Sequence, residues 1–126
     1  MQQIALVALG GSIGAVARYA LSMAVARNVD VTFPWGTIIV NLSGSFFIGV
    51  LAELFDATLI PGQWKSFASI GVIGGYTTFS TLMLESVNLL RDGEWRLVGL
   101  NIVVSNVLGI LFVLLGVAVC RLTLKR

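Results

Sequence analysis

The chain has 126 residues, of which 57% are hydrophobic and 11% charged, with a formal net charge of +2, no histidine and one cysteine. A soluble domain is roughly 45–50% apolar and about 25% charged, so eight basic and six acidic side chains cannot cover a globule of this size. The same numbers exclude disorder, a disulfide scaffold and a nucleic-acid surface, and the missing histidine removes the commonest general base and metal ligand together; what remains is a small membrane protein.

The charges leave four apolar stretches, over residues 4–26, 34–54, 64–90 and 97–120. A helix needs about 20 predominantly apolar residues to cross a hydrocarbon core of roughly 30 Å, and all four meet that length. The chain therefore reads as an all-α integral membrane protein, a single four-helix transmembrane domain over residues 1–126. The first stretch begins Met-Gln-Gln without a basic residue and is too long for the apolar part of a signal peptide, so it is expected as a retained helix. The connections are short and carry turn residues, Pro61-Gly62 in the second and Asp92-Gly93 in the third. Trp35, Trp64 and Trp95 each stand at a segment edge, where indole rings favour the interface.

Four crossings put both termini on one side. That side holds Lys65, Arg121, Lys125 and Arg126; the opposite side holds Arg27, Arg91 and Arg96, with Arg18 near it. Orientation follows the excess of Lys and Arg on cytoplasmic loops, and here there is almost none. The balance predicts dual topology, and with it an antiparallel homo-oligomer.

Polar residues within the stretches recur at helical spacing. In the first, Gly10, Gly14 and Arg18 lie four residues apart, and GxxxG spacing is explained by close helix packing. Arg18 stands eight residues before the end of the stretch, about 12 Å at 1.5 Å per residue, within reach of snorkelling as well as of attracting an anion. In the second, Thr37, Asn41, Ser45 and Gly49 form one stripe; in the fourth, Asn101, Ser105 and Gly109 repeat it, with Asn106 alongside. Helix packing and a polar pathway both account for the asparagine stripes. In the third, Gly71, Gly74 and Gly75 precede Tyr76-Thr77-Thr78-Phe79-Ser80-Thr81. Glycines followed by a β-branched, hydroxyl-rich run make a poor continuous helix, and a break there is expected, the alternative being a kinked but continuous helix with Ser/Thr hydroxyls bonded back to carbonyls. Broken helices at membrane depth bind ions elsewhere, because irregular backbone is tolerated only where protein or a cavity satisfies it.

No nucleophile–base pair and no carboxylate pair is present, so no enzyme reading survives. Cys120 reads as an inert apolar-end residue. Gly10-Gly11-Ser12-Ile13-Gly14 lacks the strand–turn–helix context of a dinucleotide loop, and the Asn41-Leu42-Ser43 sequon lies inside a span. A permeation pathway remains. Its donors are amides and hydroxyls, and apart from Glu53 at the very end of the second stretch Glu85 is the one carboxylate within a span. Cation pores are lined by acid rings; hydroxyl, amide and aromatic-edge donors favour a small anion. One chain has too few helices to enclose a pore, so the pathway needs a partner chain.

Three runs in order, Gly10-Gly11-Ser-Ile-Gly14-Ala-Val-Ala-Arg18, Gly36-Thr37-Ile-Ile-Val-Asn41-Leu-Ser-Gly44 and Gly74-Gly75-Tyr-Thr77-Thr78-Phe79-Ser80-Thr81, resemble the Fluc family of bacterial fluoride channels over the whole chain. The resemblance implies a multi-pass protein of the bacterial inner membrane, a dual-topology antiparallel homodimer that exports toxic cytoplasmic fluoride passively through two pores. It implies Asn41 as a polar pore-liner and Phe79 as a ring whose edge meets the ion. Thr37, Ser80, Thr81 and Glu85 would belong to the polar track or vestibule, Arg18 to the vestibule side, and Ser105 would be the last helix's contribution. A structural sodium ion at the dimer interface would be held by the backbone carbonyls of Gly74 and Thr77 from both chains.

The chain departs from that pattern at Leu82, where many relatives carry a second phenylalanine, so that either no paired-ring site forms there or another aromatic such as Phe46 or Phe47 compensates. It also has Asn101 and Gly109 where some relatives have a tyrosine and a serine. Fluoride is small and strongly hydrated, so close Asn and Ser/Thr donors must offset its dehydration, whereas carbonyl oxygens suit sodium. The rival reading is a small dual-topology, proton-coupled multidrug exporter. It would need an embedded acid in the first helix, where this chain has Arg18 instead.

Overall fold

A backbone in hydrocarbon has no water to bond with, so each span must close its own ladder of hydrogen bonds. The computed structural model describes residues 1–29 and 32–124. Among the described residues there is no strand, and four helical spans are long and apolar enough to cross a membrane. Lys125 and Arg126, half of the basic groups assigned to the terminus side, lie outside the described residues.

Helix α1 covers Gln2–Ala26, and the Asn28 amide bonds the Ala24 carbonyl at 2.7 Å to close its last turn. Helix α2, Trp35–Ala57, starts directly after Pro34, whose ring pre-sets φ and whose missing N–H would have been unpaired there. It stops where Thr58 turns extended and its hydroxyl bonds the Leu54 carbonyl at 2.6 Å. Pro61 then opens the third span, Gly62–Arg91. Its first half, α3 (62–76), holds an eight-residue π-helical stretch, Ser66–Ile73; π-helix is rare and concentrates at functional sites. Thr77 and Thr78 are extended, with ψ of 158° and 115°. The second half, α4, is Phe79–Arg91. It ends in a Schellman turn, with Gly93 at φ 79° and the Glu94 amide on the Leu89 carbonyl at 2.9 Å. The last helix, α5, runs Trp95–Leu124.

The expected break is real but falls two residues beyond the glycines. Gly71 and Gly75 serve close packing instead. A Cβ on Gly75 would stand 2.6 Å from the Gly11 carbonyl oxygen, and one on Gly14 would run into the Val72 carbonyl and the Tyr76 amide. So α1 and α3 touch backbone to backbone, as the GxxxG spacing predicts.

The second packed pair is α2 with α5. They run parallel, with Gly49 against Val113 and Gly116 against Phe46. At the terminus side Arg121 pairs with Glu53 at 2.8 Å, and Lys65 bonds the Phe55 carbonyl at 2.9 Å. The interior is sparse. Ile38, Val40, Leu82, Leu89 and Cys120 are the buried hydrophobics, against Thr37, Thr78, Ser86 and Asn101 among polar groups. The accessible surface is 8018 Å²; a compact soluble monomer of 13.4 kDa exposes roughly 6,500 Å². Most of the large apolar side chains face outward, while Thr37, Thr78, Ser86 and Asn101 lie inside.

Candidate functional site

Breaking a helix inside a membrane releases carbonyls and amides that need new partners. The primary amide of Asn41, two turns into α2, supplies two of them. Its Nδ2 donates to the Thr78 carbonyl at 3.0 Å, and its Oδ1 accepts the Thr78 amide at 2.8 Å. One side chain thus pairs with the break as a neighbouring strand would. An amide NH₂ carries two donors, so one N–H of Asn41 remains for another acceptor.

Thr78 then caps α4, accepting the Thr81 amide at 3.3 Å and donating to the Thr81 hydroxyl at 2.9 Å. In a continuous helix the Thr78 and Thr81 amides would have bonded the carbonyls of Gly74 and Thr77. Their diversion leaves those two carbonyls without their helical donors. The Tyr76 hydroxyl meets the Ser43 hydroxyl at 2.8 Å and ties the end of α3 to α2.

Between α2, the break and α5 lies an open cavity of about 380 Å³. Asn41, Gly74, Thr77, Phe79 and Ser105 line it, with Leu82 at its wall. Phe79 is 69% exposed and makes no ring pair among the described residues. Leu82 is only 4% exposed, and Phe46 and Phe47 stack edge-on with each other away from this cavity. Neither lines this cavity within the chain. The Ser105 hydroxyl is buried and has no partner among the described residues.

A second polar cluster lies toward the opposite end. Thr37 donates to Glu85 at 2.7 Å, while the other carboxylate oxygen is buried without a partner. Both residues line a separate cavity of about 300 Å³ with Tyr19, Phe33 and Trp35. Close by, Asn101 is fully buried, donating to Ser86 at 3.0 Å, and Ser86 in turn bonds the Leu82 carbonyl at 2.8 Å.

The structure therefore brings Asn41, Phe79, Gly74, Thr77 and Ser105 into one cavity and joins Thr37 to Glu85 in another. Ser80 is exposed, 3.5 Å from the Thr78 hydroxyl, and Thr81 faces Thr78. Arg18 is half-buried on α1 and lines neither cavity. Thr78 is the residue that sequence reasoning passed over. Its signal was there, a threonine three residues before Thr81 at the start of an apolar helix. The oxygens at the break are carbonyl and hydroxyl, with no carboxylate among them. Such donors suit a hard cation and are wrong for a transition metal.

Residues 5–117 match the family described as CrcB-like protein, Camphor Resistance (CrcB). Three proteins named "Fluoride-specific ion channel FluC" align over nearly the whole chain. That of Magnetococcus marinus is 50% identical over 95% of this chain and 98% of its own length. That of Opitutus terrae is 48% identical over 87% and 86%, and that of Paramagnetospirillum magneticum is 44% identical over 92% and 93%. With its helices, its broken third span and this extent of match, the chain belongs to the CrcB-like family.

Proposed function

We propose that the chain is a fluoride-specific ion channel that lets toxic fluoride leave the cytoplasm passively across the bacterial inner membrane. The observation that carries this reading is the cavity at the break, where the spare N–H of Asn41 and the unpartnered Ser105 hydroxyl border the exposed ring of Phe79. Neutral donors and a positive ring edge stabilise an anion, and no acid lines this cavity to repel it. The names of the relatives point to the same ion.

The working unit is an antiparallel, dual-topology homodimer with two pores. Three features support it: the even split of basic residues, the large outward apolar surface, and an open cavity lined by the exposed Phe79. A sodium ion sits at the dimer interface, held by the Gly74 and Thr77 carbonyls of both chains. Its support is the pair of carbonyls freed when Asn41 and the Thr78 hydroxyl take their donors. The cation would lock the two breaks together and add a fixed positive charge near the path. Around it, Thr37 with Glu85 and Arg18 form the vestibule side, and Ser80 and Thr81 continue the polar track beyond Phe79.

The test is ion efflux from liposomes holding the purified protein, with fluoride and chloride compared in the presence and absence of sodium. Rapid fluoride efflux with negligible chloride efflux, and loss of activity in sodium-free buffer, are expected. Equal rates for the two anions, or proton-coupled uptake of a cationic dye, would overturn the reading.

A further inference from the structure

Helical serines usually return their hydroxyl to the carbonyl one turn earlier. Ser12, Ser43 and Ser86 all do so here, onto Ala8, Ile39 and Leu82. Ser45 on α2 and Ser105 on α5 do not, and neither do Ser22, Ser66 and Ser69. Ser45 and Ser105 line the cavity at the break together with Ser69 of α3, and none of these three hydroxyls has a partner among the described residues. Within a membrane span, a hydroxyl that declines its own helix must be satisfied by what the cavity holds.

Ser45 and Ser105 belong to one register. A Cβ on Gly109 would lie 3.6 Å from the Ser45 hydroxyl, and one turn on Gly49 packs against Val113. The parallel helices α2 and α5 are thus matched at an offset that sets Asn41 level with Ser105, and Ser45 level with Gly109. At the first level both walls carry donors. At the second only α2 does, and the glycine opposite leaves the Ser45 hydroxyl uncovered. Beyond it the Gly49–Val113 contact closes the seam.

From this we infer that Ser45 is a specificity-determining donor on the ion pathway. It receives the anion from Asn41 and Ser105 and is the last polar side chain that α2 offers to the cavity. It stands four residues beyond Asn41, about 6 Å along the helix, a distance over which one ion can pass between neighbouring donors. The inference rests on the proposed fluoride conduction.

The test swaps the hydroxyl across the groove. Ser45→Ala is expected to slow fluoride efflux roughly tenfold, the worth of one charge-assisted hydrogen bond. Its thermal midpoint should not move. Adding Gly109→Ser restores a hydroxyl from the opposite wall and should recover most of the rate. Ser12→Ala, whose hydroxyl is tied to Ala8, should transport as the parent does. If Ser45→Ala does not fold, Ser45→Cys keeps the volume, weakens the donor and is read in the same way. Parent-like efflux from the Ser45 variant, or a loss that Gly109→Ser does not repair, would overturn the inference. A parent protein that conducts no fluoride would instead overturn the proposed function, and this inference with it.

Discussion

Two of the seams of this protein are built on opposite principles. Where α1 meets α3, glycine faces glycine and backbone meets backbone, and no side-chain hydrogen bond crosses between the two helices among the described residues. Where α2 meets the break and α4, side chains do the joining: Asn41 to Thr78 and Thr37 to Glu85. The first seam leaves no space and no free donor. The second is loose and holds the cavity, with spare hydrogen-bonding capacity on Asn41, Ser45 and Ser105. Close packing supplies rigidity without chemistry, and the polar seam supplies chemistry because it is not fully satisfied. A break can be held at membrane depth only because one flank is rigid while the other offers its own donors.

The contrast can be attacked from either side. The largest effect is expected from Asn41→Asp. A carboxylate there loses the Nδ2–H···O bond to Thr78 and sets a negative charge where the anion must pass. Fluoride efflux should fall by about two orders of magnitude or more, since a charged hydrogen bond is replaced by repulsion. A folded variant with undiminished efflux would remove Asn41 from the pathway. On the glycine seam, Gly14→Ala drives a methyl into the Val72 carbonyl and the Tyr76 amide. Neither can give way without shifting the broken span, so a loss of about 3 kcal/mol is expected, near the upper end for overpacking. Chemical denaturation in detergent measures it, and a change below about 1 kcal/mol would show that the seam is slack. The smallest effect belongs to Thr37→Val. It preserves shape but leaves both oxygens of Glu85 without a protein donor, and about 1–2 kcal/mol of stability should be lost. An unchanged denaturation midpoint would mean that water replaces the threonine at no cost.

Much of this was legible in the residues. The four spans follow from apolar length alone, and the GxxxG pattern announced the α1 seam, with Gly10 and Gly14 both buried. The stripes Thr37–Asn41–Ser45 and Asn101–Ser105–Gly109 announced two polar faces, though not that they lie side by side on parallel helices. Asn101 shows the limit. At the same spacing as Ser105, its amide donates to Ser86 on α4 while its Oδ1 stays buried without a partner among the described residues, and Ser105 faces the cavity instead. Spacing tells which residues share a face, and only the neighbouring helix decides which of their polar atoms find partners. Thr78 was hidden for the same reason, because its role depends on an amide 37 positions earlier. Leu82 was legible as a departure, but not as a buried wall of the cavity beside an unpaired Phe79.

By itself the sequence determined the medium, the number of crossings, the weak orientation bias and the neutral-donor chemistry. Those properties are sums over side chains and need no knowledge of what touches what. The tertiary structure decided where the third span breaks, which amide holds the break, and which hydroxyls remain unpaired. The physical reason is that a hydrogen bond forms at about 3 Å, a scale set by how two helices come into register and not by the spacing along either one.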